Sequence, residues 1–367
     1  MVANTLRLSR DRLNSYCSPT CEATHTMTSE ERSCIASALS TKAEPPGQPL
    51  VSVIIPAYNC GTYLNRAIDS VLEQTYPRIE CIVINDGSTD NTAEVAMSYG
   101  GNAELVNHAN AGASAARNRG IEAANGSLIA FLDADDCWHP SKLEKQVNLL
   151  ESHPEVVLVC TDLKTYKPEH ANAVDVDTCL DASGTDRHEI HADFLPLFCD
   201  PYLGTPSVIV RAERAREIGG FVTTLPIAED VDFYFRACAG RSYARLKEPL
   251  TVIYQRSGSL TRTLPGYQYN LEVIDKVARR NPEFAKLHAN EFARQRLLVY
   301  SRWIDRSLYA GRGRQARQLL RQSKVHGRLD GFRKIALKSF FAWPLAIMRR
   351  WTDNAKLPSG RPTRSGS

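Results

Sequence analysis

The chain has 367 residues, 43% of them hydrophobic and 23% charged, with a formal net charge of +4. That length suits one large domain or two ordinary ones, and the composition is that of a globular protein rather than a fibrous or low-complexity one. No stretch reaches the roughly 18 uninterrupted apolar residues that span a bilayer, the N-terminus lacks the apolar core of a secretory signal, and the ten cysteines stand singly without zinc spacing, so a cytoplasmic protein with reduced thiols is expected.

Residues 1–48 are polar, rich in Ser and Thr, and close on Ala43-Glu44-Pro45-Pro46-Gly47; a disordered extension is expected there. Order is expected to begin at the apolar run Leu50 to Ile55, a buried strand that should turn at Pro56-Ala57-Tyr58-Asn59 because Pro does not continue a central strand. Tyr63 to Gln74 then has helical spacing, with Leu64, Ala67, Ile68, Val71 and Leu72 on one face. A second strand, Glu80 to Ile84, ends in Asn85-Asp86-Gly87-Ser88-Thr89-Asp90, a turn whose Ser, Thr or Asp suits the cap of a helix running to Tyr99. Strand and helix alternating in this rhythm predict a parallel sheet.

Asn110 to Gly120 opens as a small-residue loop and becomes a helix. Its N-terminus suits phosphate and Arg117 or Arg119 could add a charge, although the spacing alone favours a plain Ala-rich helix with solvated arginines. Next comes Leu128-Ile129-Ala130-Phe131-Leu132-Asp133-Ala134-Asp135-Asp136, an apolar run that ends in three carboxylates. Taken alone it reads either as a divalent-cation site of hard oxygen ligands or as an Asp-rich turn. Strand ends at Tyr58-Asn59, Asp86 and Asp133 should share one rim, where ligands of such sheets bind, and that convergence favours a site.

A helix is expected from Trp138 to Leu150, strands over Val156–Cys160, Pro206–Val210 and Leu250–Tyr254, and a short helix, Ala212–Ile218, closed by Gly219-Gly220. Glu229-Asp230 opens another helix, as a dipole cap or as a general base, with Asp232 and Arg236 placed to pair at i,i+4. Beyond it the charge changes sign. Residues 1–275 hold 23 Lys and Arg against 36 Asp and Glu, whereas residues 276–350 hold 19 against 4. Such asymmetry points to an anionic partner surface. Helices are expected from about Leu271, with Leu297, Leu298, Trp303, Ile304, Leu308 and Tyr309 packing on a neighbour. Phe332 to Trp351 mixes cations with bulky apolar residues and reads either as a helix at an anionic membrane interface or as one packed on the catalytic domain with a solvated basic face.

The ordered set Pro56-Ala57-Tyr58-Asn59, Asn85 to Asp90, Arg117-Asn118-Arg119-Gly120, Phe131 to Asp136, Gly219-Gly220-Phe221 and Glu229-Asp230 resembles the family 2 glycosyltransferases of GT-A fold, over roughly residues 50–262. The resemblance implies a Rossmann-like α/β domain at 49–265, with a mostly parallel sheet flanked by helices. A basic helical C-terminal region would follow at 266–351 and a disordered tail at 352–367. It implies inverting transfer of a sugar from a nucleotide-sugar, usually a UDP-sugar, to a hydroxyl of a glycan or lipid-linked acceptor in cell-envelope polysaccharide or glycolipid synthesis. Carried over by position, Pro56, Tyr58 and Asn59 line the nucleotide pocket, Asp86 takes a hydrogen bond from the base, and Arg117 contacts the nucleotide. Asp133 meets the ribose or the metal, Asp135 ligates a divalent metal (Mg2+ or Mn2+), Asp230 is the catalytic base, and Asp136 is left as a helix cap. The chain departs from the pattern at Asn85, where relatives often carry Asp, and at Arg256, which stands where many carry His and is assigned to the phosphate. The processive Gln-x-x-Arg-Trp motif is absent, so single-sugar transfer is expected. A non-catalytic nucleotide- or nucleic-acid-binding protein is the alternative, but no nucleic-acid module is present and no nucleic-acid partner is expected.

Overall fold

A computed structural model describes residues 47–166, 187–200, 203–254 and 266–327. The strands are β1 (Val51–Ala57), β2 (Ile79–Asp86), β3 (Glu104–His108), β4 (Leu128–Phe131), β5 (Cys137–Trp138), β6 (Val156–Tyr166), β7 (His188–His191), β8 (Val208–Arg211) and β9 (Ser242–Tyr254). The helices are α1 (Leu64–Leu72), α2 (Thr92–Met97), α3 (Ala113–Ala123), α4 (Lys142–Ser152), α5 (Leu195–Cys199), α6 (Ala212–Glu217), α7 (Glu229–Cys238), α8 (Tyr267–Arg280), α9 (Pro282–Leu287), α10 (Ala289–Tyr309) and α11 (Gly313–Ser323).

One mixed sheet runs β3-β2-β1-β4-β8-β6-β9-β5, with β7 also on β9. β3, β2, β1 and β4 are mutually parallel, β8 lies antiparallel between β4 and β6, and β6 pairs parallel with β9. The apolar runs are continuous because both faces are covered. Alternate residues feed two cores. Ile54, Ile82, Ile84, Ile129 and Phe131 pack towards α3, α7 and α8, while Val53, Ile55, Val83 and Ala130 pack towards α1 and α4. Val273, Ile274 and Val277 of α8 and Phe292 of α10 belong to the first of these cores, so the C-terminal helices are seated on the sheet. The six described cysteines are thiols, five of them buried.

Three sequence expectations need correction, and one strand, β3, was not expected. β1 runs through Pro56, which pairs in register with Ile84. Ile54 O accepts from Leu132 N at 3.0 Å, so residue 56 points the same way, beyond the end of β4, and no ladder donor is lost there. The edge strand β3 carries too few apolar residues to be legible. Trp138 lies in β5, with its indole N–H donating to Pro206 O at 2.7 Å, and the helix begins only at Lys142. Ile304 packs on Ala316, Leu319 and Leu320 of α11 with Leu297, Trp303 and Leu308 as expected, but Leu298 and Tyr309 point outward.

Gly120 marks the closest approach of α3 to the sheet. A Cβ there would lie 2.3 Å from Ile54 Cγ2. Gly120→Ala is therefore expected to destabilise the fold by about 1–3 kcal/mol, as overpacking does despite the better helix propensity of Ala. Urea denaturation measures it, and an unchanged midpoint would show that the contact relaxes freely.

Candidate functional site

β1, β2 and β4 are parallel neighbours, so their C-terminal ends open on one rim. The chain leaves β1 through Tyr58, which is 53% exposed, and Asn59, held in the left-handed region at φ 48°. Asn59 N–H donates to Ser88 Oγ at 3.0 Å and its Oδ1 accepts from Thr89 N at 2.8 Å, which ties the turn after β1 to the turn after β2. Asp86 is buried at the end of β2. Its Oδ1 accepts from Ala111 N and its Oδ2 from Gly112 N, both at 2.9 Å, and His108 Nδ1 lies 3.2 Å from Oδ1. The Asp86 carboxylate thus holds the small-residue loop that opens α3.

The acidic strand end divides into distinct roles. Asp133 follows β4 and its Oδ1 accepts from Arg117 at 2.8 Å, while another Arg117 nitrogen donates to Glu229 Oε1 at 3.1 Å. Arg117 is buried beneath the rim, and its Nε has no partner. Burial opposes its charge, but Asp133 and Glu229 outweigh that and drive its pKa up. The Arg117 guanidinium thus bridges two acids.

The Asp135 carbonyl accepts from Arg66 at 2.6 Å, and the Arg66 guanidinium lies 3.6 Å above the Tyr254 ring. Asp136 is not a helix cap. It is buried, its Oδ1 accepts from Tyr254 N at 3.0 Å, and burial together with Asp135 and Asp133 holds its carboxyl well above the usual range. It anchors the end of β9.

Asp230 stands in the first turn of α7, which starts at Ala228 in the left-handed region, φ 64°, with no side-chain cap. Among the described residues, Asn59 and Ala228 are the two non-glycines with positive φ, and both flank this rim, where stored backbone strain tends to gather. Burial and the neighbouring Glu229 raise the Asp230 carboxyl to about 6, against the opposing pull of Arg117. Phe233 of the same helix stacks on Phe221 at 4.2 Å and meets the edge of Phe131 at 5.8 Å, fixing α7 beneath the acids. The i,i+4 pair expected of Asp232 and Arg236 forms at 2.7 Å. Arg280 of α8 adds a second contact to the buried Asp232 at 2.6 Å. Arg66, Glu229, Ala228 and Arg280 gave no sequence signal for these contacts, because nothing in spacing along one element predicts a partner from another. Arg256 lies outside the described residues.

Among the described residues no group of three or more His, Cys, Asp or Glu is placed to hold a metal. The donor set still fits a hard cation of the magnesium type, which characteristically takes one or two carboxylates and completes its shell with substrate phosphates and water. Asp133 and Asp135 are two carboxylates of that kind, Asp133 with one oxygen on Arg117.

The model of the family described as glycosyl transferase family 2 matches residues 52–179, the stretch holding Tyr58, Asp86, Arg117, Asp133 and Asp135. Residues 52–179 form a family 2 glycosyltransferase domain. This glycosyltransferase domain has relatives in several bacteria. An uncharacterized glycosyltransferase of Rickettsia felis is 36% identical over 193 residues, covering 51% of this chain and 31% of that protein. TuaG of Bacillus subtilis, a glycosyltransferase named for teichuronic acid biosynthesis, is 42% identical over 107 residues, covering 28% of this chain and 42% of that protein. The chain spans between 27% and 58% of the length of the Rickettsia relatives it matches. The fold resembles S. aureus TarS 1–349, with a TM-score of 0.54 and 18% identity, covering 83% of this chain and 92% of that one. The glycosyltransferase domain thus shares a GT-A-like fold with TarS, and α8 to α11 extend it.

Proposed function

We propose that the protein transfers a single sugar, with inversion, from a nucleotide-sugar of the UDP-sugar class to a hydroxyl group of a glycan or lipid-linked acceptor. The observation that carries the reading is the Arg117 bridge, which sets the Asp133 rim and the Asp230 helix on either side of one guanidinium. Donor-side acids and a poised base then share one cleft.

Pro56 and Tyr58 line the nucleotide pocket, and Asn59 and Asp86 shape it through the loops they hold. Arg256 is assigned to the donor phosphate. Asp135 and Asp133 would hold a divalent cation, Mg2+ or Mn2+, which when bound stabilises negative charge on the departing diphosphate. Asp230 takes the proton from the acceptor hydroxyl as that oxygen attacks the anomeric carbon. Attack from the face opposite the diphosphate inverts the centre in one displacement, by the geometry that inverting glycosidases also use. One carboxylate therefore suffices as base. Burial and the neighbouring Glu229 favour proton uptake by Asp230, against the opposing pull of Arg117.

TuaG supports an acceptor in cell-envelope polysaccharide, and TarS, solved with UDP-GlcNAc, illustrates a donor that this fold accommodates. The aromatic and basic segment Phe332 to Trp351 lies outside the described residues, and we assign it to an anionic membrane surface near the acceptor. The test is thermal stabilisation by a panel of nucleotide-sugars with and without manganese, since ligand linkage raises the melting temperature. Asp135→Ala is expected to lose the manganese-dependent part of that stabilisation. Equal stabilisation of variant and wild type would remove Asp135 from the cation site. Donor binding without transfer to any glycan acceptor would favour a non-catalytic nucleotide-binding role.

A further inference from the structure

Between Arg294 and Lys324 the chain carries nine Lys and Arg and one acid, Asp305. This is α10, a three-residue turn and α11, all within the described residues. Their apolar sides face each other, Ile304 against Ala316, Leu319 and Leu320. Arg296 faces inward, pairing with Asp275 of α8 at 2.7 Å. Arg317 is half-buried, and the other cations are exposed. Along α10, Arg294, Leu298, Arg302 and Arg306 recur at every fourth position and are all exposed, with Tyr309 next to them. On α11, Arg314, Gln318 and Arg321 are exposed on the side away from the buried leucines.

The outward surface is not purely polar. Leu298 is 38% exposed, Tyr309 60% and Val325 84%. Cations flanking exposed aliphatic and aromatic side chains match the headgroup region of a bilayer, where arginine meets lipid phosphate and apolar groups enter the acyl boundary. A soluble polyanion would use the cations and leave those three side chains in water. Beyond residue 327 the sequence runs into Phe332 to Trp351, where the same mixture recurs. No helix among the described residues is long and apolar enough to cross a membrane.

We infer that the outward face of α10 is a docking surface for an anionic bilayer, with Arg294, Arg302 and Arg306 on lipid phosphates and Leu298 and Tyr309 in the headgroup layer; Arg314 and Arg321 lie on the opposite side of the hairpin and are not part of it. It shares its partner with the reading of residues 332–351 given above and is separable from it. It is independent of the transfer chemistry.

The test uses the full chain and co-sedimentation with phosphatidylcholine vesicles, with and without phosphatidylglycerol. Three charge-reversal variants are compared with a matched control, Arg119→Glu with Arg241→Glu, on exposed positions of the sheet domain. Arg302→Glu with Arg306→Glu is expected to weaken binding to anionic vesicles at least about tenfold relative to that control, since each basic residue near such a surface strengthens binding several-fold, whereas Arg314→Glu with Arg321→Glu, on the opposite side, is expected to match the control. Raising salt should weaken the wild type and narrow the difference. Lys334→Glu with Lys338→Glu tests the later segment. If only that variant loses binding, the α10 inference falls and the segment's assignment stands; if only Arg302→Glu with Arg306→Glu does, the reverse holds. Wild-type binding that ignores lipid charge would overturn the inference. So would dextran sulfate binding as tight as vesicle binding, coupled with vesicle binding unchanged in Leu298→Ser with Tyr309→Ser, which would assign the surface to a soluble polyanion. Should a reversal variant fail to fold, the Gln replacements at the same positions serve with the same expectations.

Discussion

Asp230→Asn is expected to leave donor binding intact and to slow transfer by about 10²–10⁴-fold, the usual contribution of a positioned general base. Asn is nearly isosteric but cannot take up the acceptor proton. The wild-type rate should fall as pH drops through about 6, where burial and Glu229 place the Asp230 carboxyl, and that acid limb should be missing from any residual activity of the variant. The same shift has a stability consequence of opposite sense. The folded carboxyl titrates near 6 against an ordinary 3.8, so between those values the folded state binds more protons than the unfolded chain. Stability therefore falls as pH rises through that window, and the full penalty is present above it. Asp230→Asn should be more stable than wild type at pH 8, by about 1–2 kcal/mol after discounting for partial exposure, and no more stable at pH 3. A variant that keeps wild-type transfer removes Asp230 as the base. One that is slow but no more stable at pH 8 leaves the base assignment and refutes the electrostatic account of it.

Arg117→Met is expected to lower stability by about 3–5 kcal/mol, towards the lower end because Asp133 keeps about a third of its surface in water. Methionine fills much of the volume, so the loss reports on charge. Asp133 and Glu229 would face each other without their shared cation, and both contacts, at 2.8 and 3.1 Å, would go. Urea denaturation measures the loss through the midpoint. Arg117→Lys should fall between the two, because one ammonium does not reproduce a planar fork that reaches two carboxylates. In whatever activity survives, the acid limb should move to higher pH, since Arg117 is the group that restrains the Asp230 carboxyl. A loss below 1 kcal/mol in Arg117→Met would show that the bridge is not formed in solution.

The buried strands were legible because β1, β2 and β4 are covered on both faces and must be apolar throughout. The turn residues after them were legible because Asp86-Gly87 and Gly219-Gly220 adopt conformations that few other residues tolerate, with the glycines at φ 70°, 74° and 67°. The site appeared as an ordered set of strand ends because a parallel sheet delivers such ends to one rim. What escaped was of another kind. β3 has little apolar content, since an edge strand needs only one covered face, and Trp138 was drawn into a two-residue strand by Pro206 and β9, a tertiary preference over a local one. The i,i+4 pairing of Asp232 with Arg236 was visible because both sit on one helix. Arg280, 48 residues beyond Asp232 and in another helix, was not.

By itself the sequence determined the α/β alternation, the rim on which Tyr58, Asp86, Asp133 and Asp135 meet, the acids that open α7, and the basic character of the C-terminal helices. Those follow from periodicity, turn chemistry and charge, which are local properties of the chain. Only the tertiary structure decided which acid does what. Asp133, Asp135 and Asp136 are adjacent in sequence and alike in chemistry, yet one pairs with Arg117, one holds a carbonyl over Arg66, and one is buried against the end of β9. Burial and the nearest opposite charge set the role of a carboxylate, and both are properties of the space around it.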